Sequence, residues 1–214
     1  MNHLPEELFN ACPEKTLRIA PGFQIRVFSA PDVDSFLDFY IKTQPDNVDA
    51  IPYYAVIWDA ARALAKHLVA SGNKISGKRI IELGCGLGLP SITAAKLGAD
   101  VTSSDFHPDC RPFLMRNAAN NDVKLRFRRL DWRKIPDDIG TFDIVMASDV
   151  LYDSKHIPYL VSAAAKLCGE KGVILVADPG RSGLQHAADI FAENGWKHKL
   201  HPVGDIFVIE FKHK

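Results

Sequence analysis

The stretch from Arg79 to Leu89, Arg-Ile-Ile-Glu-Leu-Gly-Cys-Gly-Leu-Gly-Leu, constrains this chain more than any other. Ile80, Ile81 and Leu83 form a short apolar run that reads as a strand buried on both faces. Gly84, Gly86 and Gly88 follow at alternate positions, so the strand ends in a loop almost without side chains. Pro90 then opens a helical stretch over residues 91–97, where a proline at the first helical position is tolerated because its missing N–H has no partner there. A strand, a glycine loop and a helix N-terminus make a nucleotide-type corner: backbone can approach a ligand closely, and free amides point at it. The dinucleotide fingerprint needs glycine at the first, third and sixth loop positions, and counted from Gly84 the sixth is Leu89. The NAD form fails there, which disfavours a dehydrogenase. An acid followed by three alternating glycines is what stands.

Polar clusters recur at the ends of the apolar strands that follow. Residues 99–104 read as the second strand, ending at Asp105, where one carboxylate can accept from both hydroxyls of a ribose. The competing reading of Asp105 is a cap for the helix opened by Pro108, residues 108–120. Phe106 beside it is placed to cover an adenine face. Residues 124–130 read as the third strand; Arg126, Arg128 and Arg129 make it a solvated basic edge rather than an RNA site, since no repeated aromatic platform accompanies them. Asp131 and Trp132 end it, a carboxylate for an exocyclic amine beside a ring. The strand at 142–147 delivers Ser148-Asp149-Val150-Leu151-Tyr152-Asp153. After a helix at 155–167, the strand at 172–177 delivers Asp178-Pro179-Gly180-Arg181.

Strands alternating with helices, with their polar tips on one edge, predict an α/β Rossmann-like fold: a seven-stranded, mostly parallel sheet with helices on both faces, binding its ligand at the carboxyl edge. A helix at 185–194 and strands at 196–202 and 206–211 supply a C-terminal antiparallel hairpin. Residues 1–52 are expected to be a small N-terminal extension packing on a single 53–214 unit. In the extension, residues 17–29 alternate around Pro21-Gly22 as a hairpin, 34–41 give one or two helical turns, and 43–51 a flexible connection. Tyr53 to Trp58 lead into a helix over 60–68, and Trp58 is either a core anchor or a site residue.

With 47% hydrophobic and 24% charged residues over 214, the chain is ordinary for one α/β domain with a sizeable core. Basic and acidic residues both number 26, so bulk charge favours neither nucleic acid nor a membrane as partner. No apolar run approaches the ~20 residues that span a bilayer. Residues 1–15 have no apolar signal core and carry Glu6, Glu7 and Glu14 with no arginine, so a cytoplasmic protein is expected; it is also expected to be a monomer. Cys12, Cys85, Cys110 and Cys168 lack metal-type spacing and read as reduced packing thiols, with no metal.

The sequence Glu82-x-Gly84-x-Gly86-x-Gly88 resembles motif I of the seven-β-strand, S-adenosylmethionine-dependent methyltransferases. Together with residues 52–58, Asp105, Asp149-Val150-Leu151-Tyr152 and Asp178-Pro179-Gly180-Arg181, it makes the chain from Leu17 onward similar to the family 16 methyltransferases, a group rich in protein lysine methyltransferases. Within that family the likeness points to the enzymes that modify the electron-transfer flavoprotein β-subunit and their bacterial relatives. The resemblance implies S-adenosyl-L-methionine as cofactor, with Gly84, Gly86 and Gly88 forming its methionine and ribose loop and Glu82 helping to hold that loop. It implies Asp105 on the ribose, Phe106, Asp131 and Trp132 around adenine, Trp58 flanking the cofactor and Ser148 near its amino-acid end. Asp149 and Tyr152 would face the incoming amine as the catalytic pair, with Arg181 on the substrate side. The bland reading of Asp149 and Tyr152 is a capped helix start with a buried tyrosine.

Two prolines in an Asn-Pro-Pro-Tyr element would mark a planar amide acceptor, and Pro-Cys would mark cytosine C5 chemistry; this chain has neither. The acid at Asp149 favours a charged amine, so the expected substrate is a lysine of a protein, the flavoprotein β-subunit or a ribosomal protein among the candidates. A small-molecule amine is the alternative, because the substrate side changes easily on a constant fold. A cofactor-binding protein without turnover is a third reading, opposed by the intact glycines, Asp105 and Asp149.

Overall fold

In a computed structural model of the protein, which describes residues 3–45, 47 and 51–213, seven strands form one sheet in the order β5-β4-β3-β6-β7-β9-β8. The strands are β3 (Arg79–Leu83), β4 (Asp100–Asp105), β5 (Arg126–Arg129), β6 (Phe142–Ser148), β7 (Cys168–Asp178), β8 (Trp196–Val203) and β9 (Ile206–His213). The first five are mutually parallel, and β9 runs antiparallel to both β7 and β8. Helices α3 (Asp59–Ser71), α4 (Leu89–Lys96), α5 (Cys110–Asn120), α6 (Ile157–Leu167) and α7 (Ser182–Glu193) connect and cover them. The expected Rossmann-like sheet with a closing antiparallel hairpin is therefore the fold.

Burial follows the sequence pattern. Four of the five β3 residues and six of the seven in β6 are buried, the continuous apolar character of strands covered on both faces. One face packs α6 and α7 through Ile157, Leu160, Leu184 and Phe191. The other packs α3 through Ala60, Leu64 and Leu68. β5 at the edge keeps its three arginines outward, where Arg126 pairs with Asp100 and Arg128 with Asp138. Chain direction across the sheet reverses at β3, which has β4 on one side and β6 on the other. That switch point opens a crevice at the carboxyl ends of β3, β4 and β6.

The amino-terminal segment carries a short helix α1 (Glu6–Asn10), a hairpin of β1 (Glu14–Ala20) and β2 (Phe23–Phe28), and α2 (Asp34–Thr43). α2 is longer than the one or two turns expected, with Phe36 and Tyr40 buried on one face. The free edge of β2 meets α5 through two asparagines rather than another strand. Asn117 accepts from the Phe28 amide at 2.6 Å and donates to the Phe28 carbonyl at 3.1 Å. Asn121 repeats the pattern with the Arg26 amide and carbonyl at 2.9 and 2.6 Å. Of the flexible connection expected over residues 43–51, residues 46 and 48–50 lie outside the described residues, while Thr43 closes α2 and the Gln44 amide bonds back to the Tyr40 carbonyl. β7 begins four residues before the expected strand, at Cys168, with a register shift against β6. No helix among the described residues is long and apolar enough to cross a membrane.

Candidate functional site

The crevice is a cavity of about 570 Å³ bounded by the glycine loop, the tips of β4, β5 and β6, and the segment before α3. The loop after β3 turns through positive φ at Gly84 (69°), Gly86 (48°) and Gly88 (78°). A Cβ at Gly84 would meet Val150 Cγ1 at 2.8 Å and the Trp132 ring at 3.4 Å, and one at Gly88 would run into Leu114 Cδ1. Both positions thus need glycine for conformation and for space.

Below this loop lies Glu82, fully buried and outside the cavity wall. Its Oε2 accepts from the Ser91 amide at 3.0 Å and from the Ser91 hydroxyl, while Ser103 donates to Ser91 at 2.7 Å and Ser104 to the Glu82 carbonyl at 2.7 Å. Glu82 therefore ties the strand to the first turn of α4, which positions the loop from behind. Its Oε1 has no hydrogen-bond partner among the described residues, and burial pushes the carboxyl up to about 8 against the opposing effect of Ser91.

Asp105 stands at the tip of β4 and in the cavity wall. Its Oδ2 accepts from the Gly86 amide at 3.0 Å and its Oδ1 from the His107 amide at 2.9 Å. Burial raises its pKa, and those two amides oppose the rise. α5 starts at Cys110 with no side-chain cap, so Asp105 is not the helix cap that was the competing reading. Phe106 follows in the wall, with the guanidinium groups of Arg129 and Arg133 at 5.4 and 5.7 Å from its ring centre. Arg133 holds Asp131 through Nε at 2.8 Å and a terminal nitrogen at 2.7 Å, which lowers the Asp131 pKa. Trp132 packs beside Gly84.

At the tip of β6, Ser148 is buried in the cavity wall and Asp149 follows at φ 60°, its amide bonded to the Ala177 carbonyl at 3.0 Å. The Asp149 carboxylate is paired with Arg181. Arg181 in turn reaches Asp178 at 2.9 Å, and Asp178 accepts from the amides of Gly180 and Arg181 at 2.8 Å each. Burial works against the Arg181 charge, but the bonds to the two carboxylates outweigh it and raise its pKa. Arg181, expected from sequence on the substrate side, is not among the residues that bound this cavity; its guanidinium pairs with Asp149, which is. Tyr152 is 59% exposed at the cavity mouth, which removes the bland reading of a buried tyrosine. Trp58 also lines the cavity, its indole donating to the Tyr53 carbonyl at 2.9 Å.

Sequence reasoning missed Tyr53 and Tyr159, exposed aromatics in the same wall, and a buried polar network beneath it. Tyr54 stacks on His107 at 4.4 Å and bonds to Tyr40 at 2.9 Å, and Tyr40 donates to Asp109 at 2.7 Å. The Tyr53-Tyr54 pair was visible in sequence, but its partners come from α2 and the start of α5. Cys85 and Cys110 are free, buried and 3.7 Å apart at sulfur, with an Asp105 oxygen within 4.8 Å of both. Burial pushes the Cys85 thiol up to about 11 and Cys110 well above its ordinary value, so both are protonated thiols at neutral pH.

Residues 42–193 match the family described as lysine methyltransferase. The chain is 34% identical over 137 residues to protein N-lysine methyltransferase METTL21A of Xenopus tropicalis, covering 62% of this chain and 63% of that protein. It is 28% identical over 136 residues to the electron transfer flavoprotein beta subunit lysine methyltransferase of Xenopus laevis, covering 61% and 54%. The match thus spans less than two thirds of either relative. Among solved structures, magnesium protoporphyrin IX methyltransferase from Synechocystis PCC 6803, with bound SAM, superposes with a TM-score of 0.60 at 16% identity, covering 86% of this chain and 99% of that one.

Proposed function

The chain belongs to the lysine methyltransferase family, and from that premise we propose that it is an S-adenosylmethionine-dependent N-methyltransferase whose acceptor is a lysine side chain of a protein. The observation that carries this reading is one cavity with Asp105 bonded to the Gly86 amide in its wall and the Ser148 to Tyr152 segment at its end. Its residues fit the cofactor. The loop presents bare backbone where a Cβ would collide, the volume suits a nucleoside with an amino-acid tail, and aromatic rings alternate with carboxylates around it.

Bound there, S-adenosylmethionine supplies a methyl group activated by a sulfonium. Asp105 keeps acceptor capacity beyond the two amides it holds and takes the ribose hydroxyls. Phe106, Asp131 and Trp132, which line the same cavity, would hold adenine, and Trp58 and Ser148 would contribute to the rest of the cofactor site. In-line transfer needs alignment and a dry site rather than a covalent nucleophile, and alignment alone can supply about 7 to 11 kcal/mol.

The acceptor can dock as an ammonium but must be a neutral amine when it attacks the methyl group. A lysine with a reference pKa of ~10.4 costs about 4 to 5 kcal/mol to neutralise at pH 7, from ~1.36 kcal/mol per unit. A lone carboxylate beside it would favour the ammonium and add to that cost. Asp149 is tied to Arg181, whose charge offsets its own, so it orients the amine with less of that penalty.

The protein substrate rests on the two relatives named as lysine methyltransferases, one of which makes the flavoprotein β-subunit a candidate; a ribosomal protein is a second candidate. Incubating a cell extract with this protein and radiolabelled S-adenosylmethionine tests it. Label in protein, recovered as methyl-lysine after hydrolysis, is the expected result. Label only in small metabolites overturns the protein acceptor in favour of a small amine.

A further inference from the structure

Two of the four cysteines meet in space although they stand 25 positions apart in sequence. Cys85 lies in the glycine loop and Cys110 opens α5; their sulfurs are 3.7 Å apart, and an oxygen of Asp105 lies within 4.8 Å of both. That separation is far too long for a disulfide, and both thiols are free. It is, however, the edge of a metal tetrahedron: two thiolate sulfurs at ~2.3 Å from one Zn2+ stand about 3.8 Å apart. Asp105 adds an oxygen as third ligand, with acceptor capacity beyond its bonds to the Gly86 and His107 amides. The cluster is reachable from one side, since Cys85 and Asp105 line the cavity while Cys110 is fully buried. Both ends of the Gly86 residue hang on the same groups. Asp105 accepts from its amide at 3.0 Å, and the Cys110 thiol donates to its carbonyl at 3.0 Å.

From this convergence we infer that Cys85, Cys110 and Asp105 form a site for a thiophilic divalent cation such as Zn2+, with the cavity supplying its open fourth position. Burial opposes bare thiolates here, and an entering ion removes that obstacle, because a coordinated thiol gives up its proton outright. Two protons leave to solvent as the dication enters, so the cluster keeps its overall charge and the interior gains none. Thiolate donors select Zn2+ over Mg2+ and Ca2+, which take oxygen ligands. Metal and cofactor then exclude each other, a consequence that rests on the proposed function: Asp105 cannot give the same lone pairs to a ribose and to an ion. Loss of the Cys110 proton also releases the Gly86 carbonyl, which disturbs the loop that the cofactor needs.

Cd2+, which binds thiolates as Zn2+ does and reports on them, supplies the test. The untagged protein, kept reduced with a phosphine, is titrated with Cd2+ while the ultraviolet thiolate-to-metal charge-transfer band is followed, and the bound ion is read by cadmium NMR. The expected result is a band that saturates at a single equivalent, with a cadmium shift in the range of mixed sulfur and oxygen ligands. Cys110→Ser, which keeps a donor for the Gly86 carbonyl, loses stoichiometric binding, whereas Cys12→Ser and Cys168→Ser retain it. S-adenosylhomocysteine at ~100 times its Kd weakens Cd2+ binding about 100-fold, as competition for one site requires. No band at a single equivalent, or binding that survives Cys110→Ser, overturns the site. A cadmium shift without sulfur ligands overturns it on the wild type alone, whether or not the serine variant folds. Simultaneous binding of Cd2+ and S-adenosylhomocysteine overturns the exclusion. Failure of S-adenosylhomocysteine to bind the metal-free protein overturns the methyltransferase reading and leaves the metal site standing.

Discussion

Asp149 sits at φ 60° with its carboxylate on Arg181, and both features bear on what a substitution there can report. Asparagine tolerates the left-handed region as well as aspartate does and keeps an oxygen for Arg181, so Asp149→Asn changes charge with little change of shape. A cationic or partly charged amine then loses its charged acceptor. Charge-assisted hydrogen bonds contribute about 1.5 to 3 kcal/mol, so turnover should fall roughly 10- to 150-fold while cofactor affinity stays within about twofold. Near-normal turnover at saturating cofactor would assign the carboxylate a purely structural role. Asp105→Ala should do the reverse, weakening cofactor binding by a similar factor, because its carboxylate both faces the cavity and steers the Gly86 amide. Calorimetry that finds unchanged affinity with the fold intact removes Asp105 from the site. Asp105 was legible from sequence as an acid ending the strand that follows the glycine loop. The Asp149–Arg181 pair was not: the residues are 32 apart, and only the adjacency of β6 and β7 brings them together.

The elements show the same division. Strands β3 and β6 were readable because buried parallel strands are short apolar runs ended by glycine or a polar cluster, whereas β4 buries Thr102, Ser103 and Ser104 and was readable from its place after the glycine loop and helix. Helix α5 was readable as a helix, yet its function in the fold was not, because periodicity says which face is buried and not what it meets. Asn117 lies on that buried face and serves as a substitute strand for the free edge of β2, and it also donates to the Leu87 carbonyl at 3.1 Å. Through it the amino-terminal hairpin is fastened to the glycine loop. Asn117→Ala leaves the Phe28 amide, the Phe28 carbonyl and the Leu87 carbonyl without this partner in a buried site. At about 1 to 3 kcal/mol for each orphaned group, the loss should be about 3 kcal/mol or more by urea unfolding, and Asn121→Ala, which is less enclosed, should cost less. A loss for Asn117→Ala under about 1 kcal/mol would mean that apolar packing of Phe28 on Phe113 holds the hairpin instead, their ring centres being 5.5 Å apart.

At the scale of the whole molecule, stability and the ligand corner are linked through a single buried acid. Glu82 was expected only to help hold the glycine loop; that its carboxyl is driven toward neutrality depends on complete burial, which needs the strand, α4 and the loop assembled. In the unfolded chain Glu82 ionises near its ordinary value of 4.5, whereas in the folded protein it does so at about 8. Between those values the native state holds a proton that the unfolded state has released, so stability falls as pH rises. The contribution of the neutral carboxyl is complete below about pH 4.5 and is lost as pH passes through about 8. At ~1.36 kcal/mol per unit the effect amounts to a few kcal/mol. Other groups titrate over the same range, but they do so equally in Glu82→Gln, where the amide keeps an oxygen for Ser91 and has no proton to lose. The difference in unfolding free energy between wild type and Glu82→Gln, measured in urea at pH 5, 6.5 and 8, should therefore move steadily in favour of the variant as pH rises. Two parallel pH profiles would show that Glu82 is ionised in the native protein throughout, with a counter-charge or water reaching Oε1.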